Sequence, residues 1–260
     1  MAARSLAILA GLLSVTSASP CKPPTYTLPA TDTGTELPAV AAGLHLLKIA
    51  VGHGIQNYTC ASDDAPAKST GALAVLYDVT GFYPDTWPTG LAPPAFDALS
   101  SGVFWKQNIP LNLAAACQAS AGIPDKSDVL SEAAYGAVVA DPFLPPSPLS
   151  LPGVLPVEAP FLGHHYFDAA GVPTFDLSSA GLFGSMSKTG DVKAPGTADA
   201  GILGTGAVDW LQLTASSNGL SVGIQQVYRV ITVGGVSETC AVLGAASGSV
   251  PYAAFYWFYG

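Results

Sequence analysis

The chain has 260 residues, of which 49% are hydrophobic and only 10% charged, and its formal net charge is -9. So apolar and weakly charged a sequence excludes an intrinsically disordered chain, and the shortage of clustered Lys and Arg excludes nucleic acid as a partner. Gly (28) and Pro (22) are abundant, which is the profile of a compact, turn-rich domain with enough length for a sizeable core.

The N-terminus carries one positive charge at Arg4, an apolar run over 5–15 and small residues through Thr16-Ser17-Ala18-Ser19. That pattern predicts a secretory signal peptide over 1–19, cleaved near Ala18 or Ser19. Residues 20–260 are then a single secreted β domain, extracellular or cell-wall-associated. Loss of Arg4 takes the net charge from -9 to -10 and leaves Arg229 as the one arginine. An oxidising compartment makes the four cysteines, Cys21, Cys60, Cys117 and Cys240, two disulfides. Three connectivities are open. Cys60–Cys117 with Cys21–Cys240 is one of them, and no spacing rule selects it. No two cysteines stand two residues apart, so a cysteine metal site is not expected.

Along the mature chain, Leu44 to Val51 and Ile55 to Cys60 read as two short strands around a turn at Gly52-His53-Gly54, a hairpin. Asn57-Tyr58-Thr59 is a glycosylation sequon, with Asn57 the acceptor. Ala72 to Thr80 reads as a further strand. Phe96, Leu99 and Val103 then take helical spacing, Leu111 to Ala119 is alanine-rich, and Ser127 or Ser131 is placed to cap a short helix. Residues 141–160 contain seven prolines and read as extended loop, so 93–160 forms a helical and Pro-rich insertion.

The last hundred residues are β-rich. Val208 to Leu213 reads as a strand and Leu220 to Val233 as a long one, ending at Gly234-Gly235 with the positive φ angles of a tight turn and returning over Val236 to Val242. Aromatic residues occupy both parities of the final run, with Tyr252, Tyr256 and Phe258 against Phe255, Trp257 and Tyr259. Both faces of that strand should therefore be covered. Its roughly ten apolar residues are too few to span a membrane as a helix. The expected fold is mainly β, an antiparallel β-sandwich or distorted barrel with a small helical insertion.

Five stretches carry a family likeness: Gly54 to Cys60, Gly163-His164-His165-Tyr166-Phe167 with Pro173 to Asp176, Val208 to Leu211, Val227 to Gly235 leading to Cys240, and Tyr252 to Tyr259. On these the chain resembles a family of secreted fungal and bacterial proteins defined only as a domain of unknown function. Members of that family often carry the label malate dehydrogenase, and the residues here argue against that chemistry. Gly52 to Asn57 and Gly204 to Asp209 both lack the third glycine of a dinucleotide fingerprint, and neither fits a βαβ unit. No cofactor is expected.

His164 and His165, with Asp168 and Asp176 nearby, are the strongest candidates for chemistry near neutral pH. A secreted hydrolase would use an imidazole as general base and a carboxylate to orient it or to serve as second acid. In an extended strand, however, alternation sends His164, Tyr166 and Asp168 to one face and His165 to the other, so the two imidazoles do not converge on a metal. The preferred role for the histidines is structural, as hydrogen-bonded plugs of a barrel end. Binding candidates are Tyr166, Arg229 and Trp87. Arg229 either takes an anionic ligand or pairs with an aspartate such as Asp209 or Asp78, the commoner arrangement. Trp87 lies in a turn-rich loop and is the expected exposed aromatic. The leading functional expectation is a structural or binding module whose partner is a cell-wall or extracellular glycan; the alternative is the hydrolase.

Overall fold

The computed structural model describes residues 24–114 and 131–260. Eight strands, β1 (Leu46–Thr59), β2 (Lys68–Asp78), β3 (Phe161–Phe167), β4 (Pro173–Leu177), β5 (Leu182–Val192), β6 (Trp210–Ala215), β7 (Gln226–Gly234) and β8 (Ser247–Tyr259), pair antiparallel with their chain neighbours. β8 also pairs with β1, so the sheet closes into a barrel rather than splitting into a sandwich. Closure leaves no strand edge unpaired.

The period of two sorts each strand into an inner and an outer row. Ala50, Gly52, Gly54 and Gln56 of β1 face inward beside Ala72, Ala74 and Leu76 of β2, and together with Phe175, Met186, Leu213, Val227, Tyr252, Tyr256 and Phe258 they surround the lumen. Small residues on β1 and β2 make room for the rings of β8. A Cβ on Gly52 would stand 2.7 Å from Cε2 of Tyr256, and one on Gly54 would overlap the carbonyl oxygen of Leu73. This close packing overturns the expected hairpin: β1 runs unbroken through Gly52-His53-Gly54, whose glycines admit neighbours instead of turning the chain.

The outer row packs beneath the insertion. Helices α1 (Pro93–Asp97) and α2 (Leu99–Lys106) bury Phe96, Leu99 and Val103, as their spacing predicts, against Ile49, Val51, Phe255 and Trp257. Phe96 lies 5.0 Å from Phe255 and Tyr83 5.7 Å from Trp257, ring centre to ring centre. β8 is buried on both faces throughout Gly248–Tyr259. The Pro-rich stretch forms only isolated bridges, Leu111 to Phe143 and Leu149 to Ala159. Ser131 precedes a single 3-10 turn, Glu132–Ala134, without a capping side-chain bond. The expected signal peptide, Cys21, Cys117, Ser127 and the alanine-rich residues after Ala114 lie outside the described residues.

Three further expectations are corrected. β7 begins only at Gln226, and Leu220 and Val222 are exposed because Gly223, at φ 74°, turns the chain before the ladder starts. Gly234 and Gly235 do take positive φ, 59° and 92°, but Val236 to Val242 is not a returning strand. Ser237 and the Glu238 amide donate to the Glu132 carboxylate, and the chain then forms helix α3 (Cys240–Leu243). Cys240 is bonded to Cys60, which rules out the Cys60–Cys117 pairing. That bridge joins the β1–β2 and β7–β8 connections at one end of the barrel. Among the described residues no helix is long and apolar enough to cross a membrane.

Candidate functional site

The disulfide end of the barrel opens into a cavity of about 660 Å³, whose walls include Gln56, His165, Phe175, Arg229 and Tyr256, with Lys188 and Lys193 toward the rim. Its inner groups come from different strands. Register aligns Ala74 with His165, His165 with Phe175, Leu211 with Arg229 and Arg229 with Tyr256, so inward parity alone brings these side chains together.

Arg229 is only 8% exposed, yet among the described residues its guanidinium meets no carboxylate. Nε and Nη2 donate to the backbone carbonyl of Asp209 at 3.2 and 2.8 Å, and Nη1 donates to Oε1 of Gln56 at 3.4 Å. The expected aspartate pair is therefore not formed. The Asp209 carboxylate holds Lys193 at 3.0 Å, and Asp78 holds Lys48 at 2.7 Å. These carbonyl oxygens are uncharged, so among the described residues the guanidinium's positive charge has no carboxylate beside it.

His165 feels that charge. Its Nδ1 donates to the Thr174 carbonyl at 2.8 Å and its ring stacks on Phe175 at 4.2 Å. Burial, opposed by the carbonyl bond and aided by the Arg229 charge, brings its pKa down to about 4, so the imidazole is neutral at neutral pH. The hydroxyls of Tyr252 and Tyr256 bond one another at 2.9 Å, and burial raises the pKa of both.

Of the four residues proposed for catalysis, His164 and Asp176 are register partners on the outer wall, Asp168 stands beside Tyr166 on the same side, and His165 faces the lumen. His164 lies on the outer wall, stacked 3.9 Å from Phe143, with its pKa lowered by burial against the opposing charge of Asp176. Asp168 accepts the amides of Ala170 and Val172 at 2.8 and 2.9 Å, which shapes the β3–β4 turn, and Asp176 accepts the amide of Ser178 at 3.0 Å. Tyr166 lines a separate cleft on the outside with Asp168 and Asn57. Asn57 sits half-buried in β1 and accepts a hydrogen bond from Ser249 at 2.8 Å. Trp87 is 79% exposed on its loop, away from the barrel mouth.

Sequence reasoning singled out Arg229 and His165 but missed Gln56, Tyr256, Lys188 and Lys193. Gln56 did carry a signal: it is the polar member of an inward row of β1 otherwise made of Ala50, Gly52 and Gly54. Among the described residues no three His, Cys, Asp or Glu side chains assemble as a metal site. The glycine stretches fit no dinucleotide either, since Gly52 to Asn57 lies within a strand and Gly204 to Asp209 leads into β6.

No curated protein and no solved structure matches the chain. Residues 40–260 match the family described as "Protein of unknown function (DUF3455)", and the chain belongs to that family.

Proposed function

We propose that this is a secreted, extracellular or cell-wall-associated binding protein whose barrel mouth takes a small organic anion, docked by its carboxylate on Arg229. The observation that carries this reading is the buried guanidinium without a carboxylate partner. A free anion supplies the missing charge and the planar two-oxygen geometry that guanidinium favours. The cavity has the size of a small-molecule site and the position such sites take in β-barrels. Phe167, Phe175, Leu211 and Leu213 line the same space around one buried cation, which favours a monocarboxylate on an apolar or aromatic body over a polyanion.

Calorimetric titration with benzoate, short fatty acids and dicarboxylates tests the proposal, using Arg229→Met as the variant. The wild type should bind the apolar monocarboxylates, and the variant should lose about 2 kcal/mol, roughly thirtyfold in Kd. Removing an uncompensated buried charge should meanwhile leave the melting temperature unchanged or raise it. Equal affinity in wild type and variant would sink the anion site.

A further inference from the structure

We propose that the anion taken by the barrel mouth carries a hydroxyl group as well as its carboxylate, and that Nε2 of His165 accepts a hydrogen bond from that hydroxyl. The inference rests on the anion site at Arg229 and narrows its ligand to a hydroxylated aromatic monocarboxylate.

His165 gives one ring nitrogen to the protein and the other to the cavity. Its Nδ1 lies 2.8 Å from the Thr174 carbonyl, which only accepts, so the proton of the neutral ring sits on Nδ1 and Nε2 is left as a bare lone pair. Nε2 has no hydrogen-bond partner among the described residues. Nδ1 of His53 and Nε2 of His164 also lack partners but are sealed from solvent, whereas Nε2 of His165 is not sealed. Because His165 lines the mouth, this lone pair opens onto the space that the ligand enters. The residue is 4% exposed, and an acceptor so enclosed gains by meeting a donor.

Arg229 and His165 are placed to hold one small molecule. Arg229 is the register partner of Tyr256, and the Tyr256 ring centre lies 5.6 Å from that of His165, so cation and acceptor flank a single side chain. Aromatic faces surround them: Phe175 stacks on the imidazole at 4.2 Å, and Phe167 lies 5.8 Å from it. A flat ring bearing a carboxylate and a hydroxyl suits such walls.

Charge selects the kind of donor. An ammonium group would face the Arg229 guanidinium, and Asp209, the carboxylate among the described lining residues, is already held by Lys193 at 3.0 Å. A neutral hydroxyl meets no such repulsion. Competing polar groups in the wall are engaged: Gln56 Nε2 donates to Ser69 Oγ and to the Gly71 carbonyl, and the Tyr58 hydroxyl donates to the Gly235 carbonyl at 2.6 Å.

Calorimetry at pH 7 with benzoate, the three hydroxybenzoates and the matching fluorobenzoates tests this on the wild type and on His165→Phe. At least one hydroxybenzoate should bind the wild type roughly three- to tenfold more tightly than benzoate, the worth of one hydrogen bond. Its fluoro counterpart, which keeps the size and loses the donor, should lack that advantage. In His165→Phe the same hydroxybenzoate should gain nothing over benzoate. Should that variant fail to fold by near-UV circular dichroism, nitrogen-15 NMR of the wild type decides, since the His165 Nε2 resonance must shift further with the hydroxybenzoate than with its fluoro counterpart. Equal affinity for benzoate and all its hydroxylated forms, or an advantage that survives in His165→Phe, overturns the hydroxyl contact and leaves the Arg229 site standing. Absence of binding by all of these acids overturns both.

Discussion

Acidification from pH 6.5 to pH 4 is expected to destabilise the fold by several kcal/mol, before most carboxylates have been protonated. The cause is two fully enclosed imidazoles. His53 is 1% exposed beneath α2 and burial pushes its pKa down to about 3, while His165 is 4% exposed and held at about 4. Both have an ordinary value of 6.5 once the chain unfolds. Below pH 6.5 the unfolded chain therefore takes up protons that the folded barrel refuses. Stability is complete above the unfolded value and falls as pH drops toward the folded ones. Two such protons give a slope of about 2.7 kcal/mol per pH unit once the unfolded histidines are protonated. Urea unfolding at pH 7, 6, 5 and 4 measures it. His53→Leu should flatten part of the slope, and a midpoint that stays constant from pH 7 to pH 5 would contradict the assignment.

Converting Cys60 and Cys240 to serine is expected to cost about 2–5 kcal/mol of stability, because the bridge constrains a loop of 180 residues in the unfolded chain. A second consequence is local. The bridge ties together two connections that frame the barrel mouth, so its loss should weaken anion binding beyond what global stability predicts. Thermal melts of the double variant read the first effect. Calorimetry at a temperature where the variant remains folded reads the second. A melting temperature equal to that of the wild type would refute the structural role.

The sequence disclosed the class of fold through residues whose meaning is local. Alternating aromatics announced a strand covered on both faces, and Phe96, Leu99 and Val103 announced the helical layer above it. Glycine misled twice, for related reasons. At Gly52 and Gly54 it admits close-packed atoms of the neighbouring strands β2 and β8 that only the tertiary structure reveals, and at Gly223 it breaks a run that looked like continuous strand. The proposed anion site was the least legible part. Arg229 and Gln56 stand 173 positions apart and meet only because both occupy inward rows on strands that flank β8. The His164-His165 pair, by contrast, was conspicuous in sequence and is divided by the wall of the barrel. Alternation alone was enough to foresee that division, though not which histidine would face the lumen.

The β1–β8 seam has a consequence for how the molecule is made. Thirteen residue pairs, from Leu46 with Tyr259 to Thr59 with Ser247, join strands 188 to 213 positions apart. Contacts of such long range form slowly, because loop closure must precede any gain from pairing. Until Ser247–Tyr259 has been synthesised, β1 and β7 each present an open hydrogen-bonding edge beside an apolar lumen. The nascent sheet is thus adhesive for as long as its closing strand is missing, and a chain truncated before Ser247 should aggregate rather than fold as a smaller barrel.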